Sequence, residues 1–336
     1  MKILIYSPMF YPSIGGLEAV MSILAHQFVA EGHQVKVVCK TKDIDNKKFP
    51  FEIVRFPKPN HLLKLLKWSD VYFQGNVSLK GVYPLLIQPK PCVISHHGWY
   101  TRTNGQISWQ DKLKHLVTKF VTNISVSQAV AEHLTVPSTV IPNPYREEIF
   151  YEIPQIPRNK NLVFLGRFVS DKGVDLLIKA LANLRQQRLT PSLTMIGKGV
   201  EEENLRKLTQ ELNLTDQVNF VGPKVEQELA KILNEHQIMV VPSLWNEPFG
   251  IVALEGIACG CVVVGSSGGG LKEAIGDCGL TFPNGDIIAL TQALKQLLTQ
   301  PSLLDHYRAN ATKHLKKHQK AIVAKAYLEV LEKAIS

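Results

Sequence analysis

The stretch IMVVPSLWNEPFGIVALEGIACGCVVVGSSGGGLKE, residues 238–273, contains in one run the elements that decide the fold. Its two apolar runs, IMVVPS and CVVVGS, are short and rich in β-branched residues, as is typical of buried strands. Between them, residues 251–259 show the apolar spacing of a helix. A strand, a helix and a second strand in this order predict a parallel α/β sheet.

The loop before this helix has the features of an anion site. Pro248 and Gly250 break the chain, so the helix is expected to begin directly after them. The amides of Phe249, Gly250, Ile251 and Val252 then have no partner in a preceding turn. Because a helix N-terminus combines unpaired N–H groups with a partial positive charge, a phosphate can bind there.

Three carboxylates surround the same helix, at Glu247, Glu255 and Glu273. They would repel a phosphate unless they face another part of the ligand. Sugar hydroxyls donate hydrogen bonds to carboxylates, so a nucleotide sugar offers both kinds of group. The alternative is that Glu247 caps the helix and Glu255 is a solvated or paired surface residue.

Short apolar runs alternate with helical patterns along the whole chain, which predicts two doubly wound α/β domains. Regular patterning stops between Pro142 and Arg158, and the domain joint is expected there. We therefore predict an N-terminal domain over residues 1–150, a C-terminal domain over 151–320, and a helix over 321–336 that packs back across the joint. The predicted strands are KILIY, VKVVCK, FEIVRF, DVYFQ, CVISH, NISVS and TVIPN, then NLVFLG, SLTMIG, VNFVG, IMVVPS, CVVVGS and CGLTF.

Composition narrows the class of protein. The 336 residues suffice for two domains with their own cores, and 45% of them are hydrophobic. No apolar run reaches the roughly 20 residues that span a bilayer. The five cysteines form no CxxC pair, so neither a disulfide framework nor a zinc site is indicated, and we expect a cytoplasmic location.

The basic residues are concentrated in the N-terminal half. Residues 1–150 contain 17 Lys and Arg against 10 Asp and Glu, whereas the remainder of the chain is nearly balanced. An anionic membrane surface or a phosphorylated acceptor would suit this excess. No helix-turn-helix, zinc-finger or RNA-recognition signature accompanies it, so nucleic acid is the least favoured partner.

Other candidate residues follow predicted strands, where ligands of such sheets bind. Gly15 and Gly16 open a helix after the first strand, and Gly197 follows a strand of the second domain. Glycines there allow close approach of a backbone to a pyrophosphate, although a tight turn is the alternative. Arg167 and Lys172 lie in another such loop, where two cations can neutralise a diphosphate or serve as ordinary loop charges.

Together these motifs identify a family. The chain resembles the retaining glycosyltransferases of the family-4, "group 1" type, whose GT-B fold has two Rossmann-like domains facing each other across a cleft. The match runs nearly end to end through GGLE, HHG, VIPN, LGRFVSDKG, IGKG, FVG, NEPFGIVALEGIACG and GGGLKE. The joint departs from the pattern with PNP in place of PNG, and Val262 stands where a proline is common.

The resemblance implies a role for each matching position. Arg167 and Lys172 would hold the donor diphosphate, and Glu247 would contact the transferred sugar. The active-site histidine would be His97, with His96 as the competing choice. The other donor-binding positions would be Gly15 and Gly16 over the donor, Gly197 near the diphosphate, Gly222 and Lys224 near the base, Phe249, Gly250, Ile251 and Val252 at the distal phosphate, and Glu255 at the ribose.

The expected activity is transfer of a hexose or N-acetylhexosamine from a nucleotide sugar, with UDP favoured over GDP or ADP, to a glycan, lipid-linked or small-molecule acceptor. The resemblance implies retention at the anomeric carbon, no metal and no cofactor. The alternatives are a nucleotide-sugar epimerase, a sugar phosphorylase, or a non-catalytic partner of another transferase. Acceptor contacts are expected in loops such as residues 99–106.

Three further features have competing interpretations. Asp43 and Asp45 form a DxD, which binds metal in another glycosyltransferase fold but is expected to be solvated here. His314 and His318 are spaced for one metal ion, although the surrounding lysines favour a solvated basic helix. The segment HLLKLLKW, residues 61–68, has the composition of an interfacial helix that could dock the N-terminal half on an anionic membrane. Its alternative is a helix that covers the sheet with its lysines outward.

Overall fold

The computed structural model describes residues 1–13, 15–44, 46–101 and 108–336. The chain divides into two compact units. Unit 1 contains residues 1–144 and 318–336, and unit 2 contains residues 145–317. Unit 2 is therefore an insertion between the body of unit 1 and its final segment. Among the described residues, no helix combines the length and apolar character that crossing a membrane requires.

Unit 1 is built on a parallel sheet of seven strands in the order β3-β2-β1-β4-β5-β6-β7. The strands are β1 Lys2–Tyr6, β2 Gln34–Cys39, β3 Glu52–Arg55, β4 Val71–Gly75, β5 Cys92–His96, β6 Thr122–Ser125 and β7 Thr139–Val140. The helices are α1 Gly16–Ala30, α2 Pro59–Trp68, α3 Leu79–Val82, α4 Trp109–Thr118, α5 Gln128–His133 and, after unit 2, α14 Lys320–Ile335. A 3₁₀ turn, Tyr83–Leu86, follows α3.

Alternation along β4 shows how the two faces of this sheet are covered. Tyr72 belongs to the apolar core formed with α2 and α3, whereas Phe73 faces α1 and α14. The Phe73 ring lies 5.7 Å from that of Tyr327 in α14 and 6.3 Å from that of Phe28 in α1. Because successive strand residues point to opposite faces, β4 is buried between two helical layers.

Unit 2 has a parallel sheet of six strands in the order β10-β9-β8-β11-β12-β13. The strands are β8 Lys160–Leu165, β9 Leu193–Ile196, β10 Val218–Gly222, β11 His236–Val241, β12 Val262–Ser266 and β13 Gly279–Phe282. The helices are α6 Val174–Gln186, α7 Glu202–Glu211, α8 Glu226–Asn234, α9 Ile251–Ala258, α10 Leu271–Ile275, α11 Ile287–Thr299, α12 Pro301–Ala309 and α13 Ala311–Lys316.

The strand order of unit 2 reverses between β8 and β11, which are neighbours in space but 70 residues apart in sequence. Such a reversal opens a crevice beyond the carboxyl ends of the two strands, and ligands of open α/β sheets bind there. The loop after β8 contains Arg167 and Lys172, and the loop after β11 contains Glu247. The fold therefore places these candidate residues at one edge of one sheet.

Candidate functional site

The loop after β8 is held in place by backbone contacts to the loop after β11. The Asp171 carbonyl accepts hydrogen bonds from the amides of Leu244 (2.9 Å) and Trp245 (3.1 Å). Gly173 has a left-handed conformation, and a β-carbon there would overlap the Pro242 carbonyl oxygen. A glycine is therefore required at position 173 for this close approach, which fixes the 3₁₀ turn Ser170–Lys172 against the neighbouring loop.

This arrangement brings together two of the predicted site residues. The Lys172 ammonium donates a hydrogen bond to Glu247 Oε1 at 2.5 Å, and the Ser243 hydroxyl donates to the same oxygen at 2.6 Å. The Lys172 side chain is 21% exposed and that of Glu247 is 13% exposed. Both side chains are therefore partly exposed, and a ligand can reach them. Ser243 was not predicted from the sequence, and its position four residues before Glu247 gave no motif to identify it.

The backbone of Glu247 is fixed by the glycine turn after β12. Its carbonyl accepts a 2.7 Å hydrogen bond from Gly270, and a parallel bridge pairs Glu247 with Gly269. Gly268 donates to Asn284 Oδ1 at 2.8 Å, and the Asn284 amide returns a bond to the Leu244 carbonyl. These contacts explain why the Gly turn accompanies Glu247 in the sequence.

The loops after β8, β9 and β10 also meet through their backbones. Gly166 donates to the Ile196 carbonyl (3.0 Å), and Gly197 donates to the Gly222 carbonyl (3.1 Å). A β-carbon on Gly197, which has φ +142°, would overlap the Gly166 carbonyl oxygen. Close packing therefore accounts for Gly197 without any ligand. The Arg167 side chain is exposed and has no ion-pair partner in the described part of the chain.

The predicted anion site at the start of α9 has suitable geometry. Gly250 adopts a left-handed conformation (φ 99°), and α9 begins at the next residue. Within the described ranges, the amides of Gly250, Ile251 and Val252 have no hydrogen-bond acceptor. Phe249 is buried and anchors the turn beneath them. Three N–H groups at a helix start, without a protein acceptor in the described part of the chain, are the arrangement that the predicted anion site requires.

Glu255 lies one turn into α9 and is only partly exposed. Burial raises its pKa to about 7, and the positive charge of Arg146 opposes that rise. Arg146 itself lies 3.9 Å from Glu226, measured between Nη1 and Oε1. Glu255 is therefore partly buried and not a fully solvated carboxylate, and the influence of Arg146 on its pKa leaves the paired alternative open.

Gly222 and Lys224 differ in whether neighbouring groups already contact them. Gly222 has φ +71°, and no atom lies within 4 Å of a β-carbon built there. The ammonium of Lys224, two residues before α8, pairs with Glu228 in the first turn of that helix at 2.5 Å. Lys224 is thus already engaged, whereas the backbone at Gly222 is open to a ligand.

In unit 1 the structure distinguishes His96 from His97. His96 is fully buried and bonded at both ring nitrogens, to Tyr100 Oη at 2.6 Å and to Asn123 Oδ1 at 3.0 Å. Asn123 Oδ1 can only accept, so His96 Nε2 carries a proton. Burial lowers the pKa of His96 to about 4, so the ring is neutral and Nδ1 accepts the proton of the Tyr100 hydroxyl, whose oxygen accepts from the Val77 amide. This network fixes His96 as a neutral core residue.

His97 is in a different environment. Its Nε2 pairs with the Ser95 hydroxyl at 2.9 Å, and its amide donates to Asn76 Oδ1 at 2.7 Å. The buried Nδ1 has no hydrogen-bond partner within the described residues. Burial and the neighbouring His96 lower the pKa of His97 to about 3, with an opposing contribution from the Asn143 side chain. The imidazole is therefore neutral at physiological pH.

At the start of α1, Gly15 is extended and accepts a 3.1 Å bond from Ala19 through its carbonyl. A β-carbon on Gly15 would overlap the Glu18 carboxylate, the end of a flexible side chain that can move aside. Gly16 is the first residue of the helix. The acceptor loop expected over residues 99–106 lies largely outside the described residues, which resume at residue 108.

Burial and hydrogen bonding show the environment of the His314 and His318 pair and of Asp43 in the DxD. His314 and His318 are buried, and they bond to the carbonyls of Ala274 (2.7 Å) and Asn143 (3.0 Å) respectively. The prediction of a solvated basic helix is therefore wrong for these two side chains. Asp43 lies 3.5 Å from the Arg55 guanidinium, and the second residue of the DxD, Asp45, lies outside the described residues. The described part of the chain contains no cluster of three metal-ligating side chains.

Helix α2 contains the segment predicted as either interfacial or sheet-covering. Leu62, Leu65 and Leu66 are buried against the sheet, whereas Lys64 and Lys67 are exposed. The sheet-covering interpretation is therefore confirmed. Three of the four leucines of α2 are already packed, so they are unavailable for insertion into a membrane.

Comparison of the sequence with known proteins gives a family match in the C-terminal half and a relative that covers more of the chain. The model of the family described as glycosyl transferases group 1 matches residues 146–314. The phosphatidyl-myo-inositol mannosyltransferase of Mycobacterium leprae is 27% identical over 270 residues, which are 77% of this chain and 71% of that protein. A D-inositol 3-phosphate glycosyltransferase of Stackebrandtia nassauensis is 35% identical over 164 residues, covering 46% of this chain and only 37% of that relative.

Solved structures extend the similarity of the fold. The Anabaena protein HepE, solved in complex with UDP and glucose, superposes with a TM-score of 0.82 at 18% identity, over 99% of this chain and 100% of HepE. The sucrose-phosphate synthase of Thermosynechococcus elongatus gives the same TM-score at 20% identity, over 99% and 98% of the two chains. The predicted pair of Rossmann-like domains in a GT-B fold is confirmed.

Proposed function

Because the chain belongs to the group 1 glycosyltransferases, we propose that it transfers a hexose or N-acetylhexosamine from a nucleotide sugar with retention of anomeric configuration. The observation that carries the proposal is the pair Lys172–Glu247 beside the start of α9. A cation, a carboxylate and unpaired amides at one sheet edge match the phosphate and hydroxyl groups of such a donor.

The diphosphate would bind to Arg167, Lys172 and the amides of Gly250, Ile251 and Val252. Two side-chain cations and a helix start can balance its negative charge, including the charge that develops on the phosphate as it leaves. This charge balance supports a reaction that needs no metal ion and no cofactor. When the diphosphate binds the Lys172 ammonium, the Glu247 carboxylate is released from its ion pair.

The released Glu247 would accept hydrogen bonds from hydroxyls of the transferred sugar, with Ser243 holding its Oε1 in place. Glu255 would accept bonds from the ribose hydroxyls, four residues along α9. Because a carboxylate accepts such bonds best when it is ionised, binding at Glu255 should strengthen as it loses its proton. Gly222 and the neighbouring Lys224 would lie near the base.

His97 would act on the sugar as a neutral hydrogen-bonding group. A neutral imidazole avoids repulsion of the positive charge that develops on an oxocarbenium-like transition state. The bond from the anomeric carbon to the phosphate breaks while a bond to the acceptor oxygen forms on the same face. The acceptor proton passes to the departing phosphate, so no separate general base is needed.

UDP is the nucleotide we favour, and HepE, which shares the fold, was solved with UDP and glucose. The acceptor would be a glycan, a lipid-linked saccharide or a small molecule. Phosphatidyl-myo-inositol mannosyltransferase, by its name, acts on a lipid, which supports including lipid-linked acceptors.

A donor screen followed by product analysis tests the proposal. UDP-, GDP- and ADP-sugars are first compared by thermal shift, because a bound donor stabilises the folded protein. Turnover of the stabilising donor is then measured in EDTA with a panel of acceptors, and NMR identifies the anomeric configuration of the product. Turnover that requires added metal, or an inverted product, would refute the mechanism.

Substitutions test the residue assignments in the same assay. Lys172→Met and Glu247→Ala should each reduce kcat/KM by at least about 100-fold, the loss typical of removing a group that stabilises the transition state. Lys179→Met is a matched control, because Lys179 lies on the exposed face of α6 and its ion-pair partner among the described residues is Asp175. Equal activity of Lys172→Met and Lys179→Met would remove Lys172 from the site.

A further inference from the structure

Helix α4 of unit 1 presents a row of large apolar side chains to solvent. Trp109 is 67% exposed, Leu113 39%, Leu116 47% and Phe120, in the turn after the helix, 79%. Their spacing of four, three and four residues places them along one side of the helix. Single exposed apolar residues are common on protein surfaces. A contiguous row of them is uncommon and marks an interaction site.

A turn in the preceding connection exposes two more apolar side chains. Helix α3 packs against α4, and the turn that follows α3 exposes Leu86 (86%) and Ile87 (66%). Helix α3 lies in the connection between β4 and β5, and α4 lies in the next connection, between β5 and β6. The exposed apolar residues therefore come from two adjacent connections. We call the row on α4, together with Leu86 and Ile87, the α4 surface.

The charged residues in the segment that contains the α4 surface are mostly basic. Between Lys58 and Phe120 the sequence contains nine Lys and Arg but only two acidic residues, Asp70 and Asp111. This segment therefore accounts for a net charge of +7, equal to that of residues 1–150 as a whole. Asp70 accepts a bond from the Lys2 amide, and Asp111 is buried as the partner of the helix cap.

Several of these cations are exposed on the helices of this layer. Lys112 and Lys119 flank the apolar row, seven residues apart on α4 and the turn after it. Lys64 and Lys67 project from α2, which contacts the turn after α3. Exposed cations bordering exposed aromatic and aliphatic side chains match the two layers of an anionic bilayer surface, its phosphates and its acyl chains.

We infer that the α4 surface docks unit 1 on a membrane rich in anionic phospholipids. The lysines would contact lipid phosphates, while Trp109, Leu113, Leu116 and Phe120 enter the boundary between headgroups and acyl chains. The sequence offered residues 61–68 as an interfacial helix or a sheet-covering one. Helix α2 buries Leu62, Leu65 and Leu66 in the core, so its contribution to this surface is the charge of its lysines. The inference concerns unit 1 alone and does not depend on the donor proposed for unit 2.

Vesicle flotation of the full chain tests this inference. The protein should float with vesicles of phosphatidylcholine and phosphatidylglycerol, and much less with phosphatidylcholine alone. Lys112→Gln/Lys119→Gln should weaken partitioning by about 30-fold, from about 1 kcal/mol for each lysine at an anionic surface. Trp109→Ser/Phe120→Ser should weaken it by at least about tenfold, because two apolar side chains no longer enter the interface.

Matched controls come from unit 2. Ile288→Ser removes a 75% exposed apolar residue from α11, and Lys207→Gln removes a 75% exposed cation from α7. Neither should change flotation. A further readout is tryptophan fluorescence, which should shift to the blue on addition of anionic vesicles in the wild type but not in Trp109→Phe.

Three results would overturn the inference. Absence of flotation with anionic vesicles, or equal flotation with both vesicle types, would exclude an anionic membrane as the partner. Equal loss in the control variants would place the contact elsewhere. A concentration-dependent dimer in sedimentation that Phe120→Ser abolishes, without flotation, would assign the α4 surface to a second copy of the chain.

Discussion

Replacing either partner of the Lys172–Glu247 pair should change the affinity for a nucleoside diphosphate in opposite directions. In the structure the Lys172 ammonium is bonded to Glu247 Oε1 at 2.5 Å, so a phosphate has to compete with that carboxylate for the lysine. UDP contains the diphosphate but no sugar for Glu247 to bind. Removing the lysine therefore removes an attractive contact, and neutralising the carboxylate removes a competitor.

The magnitudes follow from the burial of the pair. A hydrogen bond to a charged group is worth about 1.5–3 kcal/mol, so Lys172→Met should weaken UDP binding by about 10- to 150-fold. Exposed ion pairs are worth up to about 1 kcal/mol, and this one, with 21% and 13% of its side chains exposed, is near that limit or above it. Glu247→Gln should therefore tighten UDP binding by about fivefold.

Isothermal titration calorimetry of the two variants with UDP in EDTA measures both effects, with GDP titrated in parallel and Lys179→Met as the control. Turnover gives an independent reading, because Glu247→Gln should lower kcat even while it binds UDP more tightly. If Glu247→Gln and Lys172→Met weaken UDP binding equally, the carboxylate contacts the diphosphate side of the ligand, and the division of roles between the two residues is wrong.

Three further predictions concern pH and backbone geometry. Because burial raises the pKa of Glu255 to about 7 and only its ionised form accepts bonds from both ribose hydroxyls, donor affinity should rise about tenfold between pH 6 and pH 8, and Glu255→Gln should abolish this dependence. A flat profile in the wild type would exclude a ribose contact. His236 is buried neutral between the Ile232 carbonyl and the Thr194 hydroxyl, and burial lowers its pKa to about 4. As the pH falls below 6.5 the unfolded chain takes up the proton first, so this histidine should reduce the free energy of unfolding by about 2 kcal/mol between pH 7 and pH 5. Urea unfolding of His236→Gln should show a smaller loss over that range, and an unchanged pH dependence would contradict the assignment. Gly197→Ala should lower the melting temperature more than Gly222→Ala, because both have positive φ but only position 197 lacks space for a β-carbon. Equal melting temperatures would show that the loop relaxes around the added methyl group.

Much of the fold could be predicted because its strands are short apolar runs separated by clear breaks. All thirteen predicted strands are present in the described part of the chain, from KILIY at β1 to CGLTF at β13. The order of residues along each strand-to-loop junction also placed Lys172 and Glu247 at one sheet edge. Strand position and loop position follow from local sequence, and the parallel fold then brings the loops together.

Burial by distant parts of the chain could not be predicted in this way. His318 bonds to the Asn143 carbonyl, 175 residues away in sequence, and no local pattern indicates that contact. The same holds for Glu255, whose pKa depends on its packed surroundings and on Arg146. The contrast between α2 and α4 has a similar origin, because both are apolar and basic, and only the tertiary packing decides which leucines are covered.

The return of the chain to unit 1 has a consequence for synthesis. Helix α14 covers β4 and β5 and brings Tyr327 against Phe73, so the seven-stranded sheet lacks part of one face until that helix has left the ribosome. Unit 2, which is continuous over residues 145–317, has no such dependence on later sequence. We therefore expect unit 2 to complete its folding first during translation. Until α14 is synthesised, the first 144 residues have an exposed apolar sheet face that chaperones can bind. A chain truncated after residue 317 would retain the whole of unit 2. Its unit 1 would lack α14, and we expect this incomplete unit to direct the whole chain to degradation.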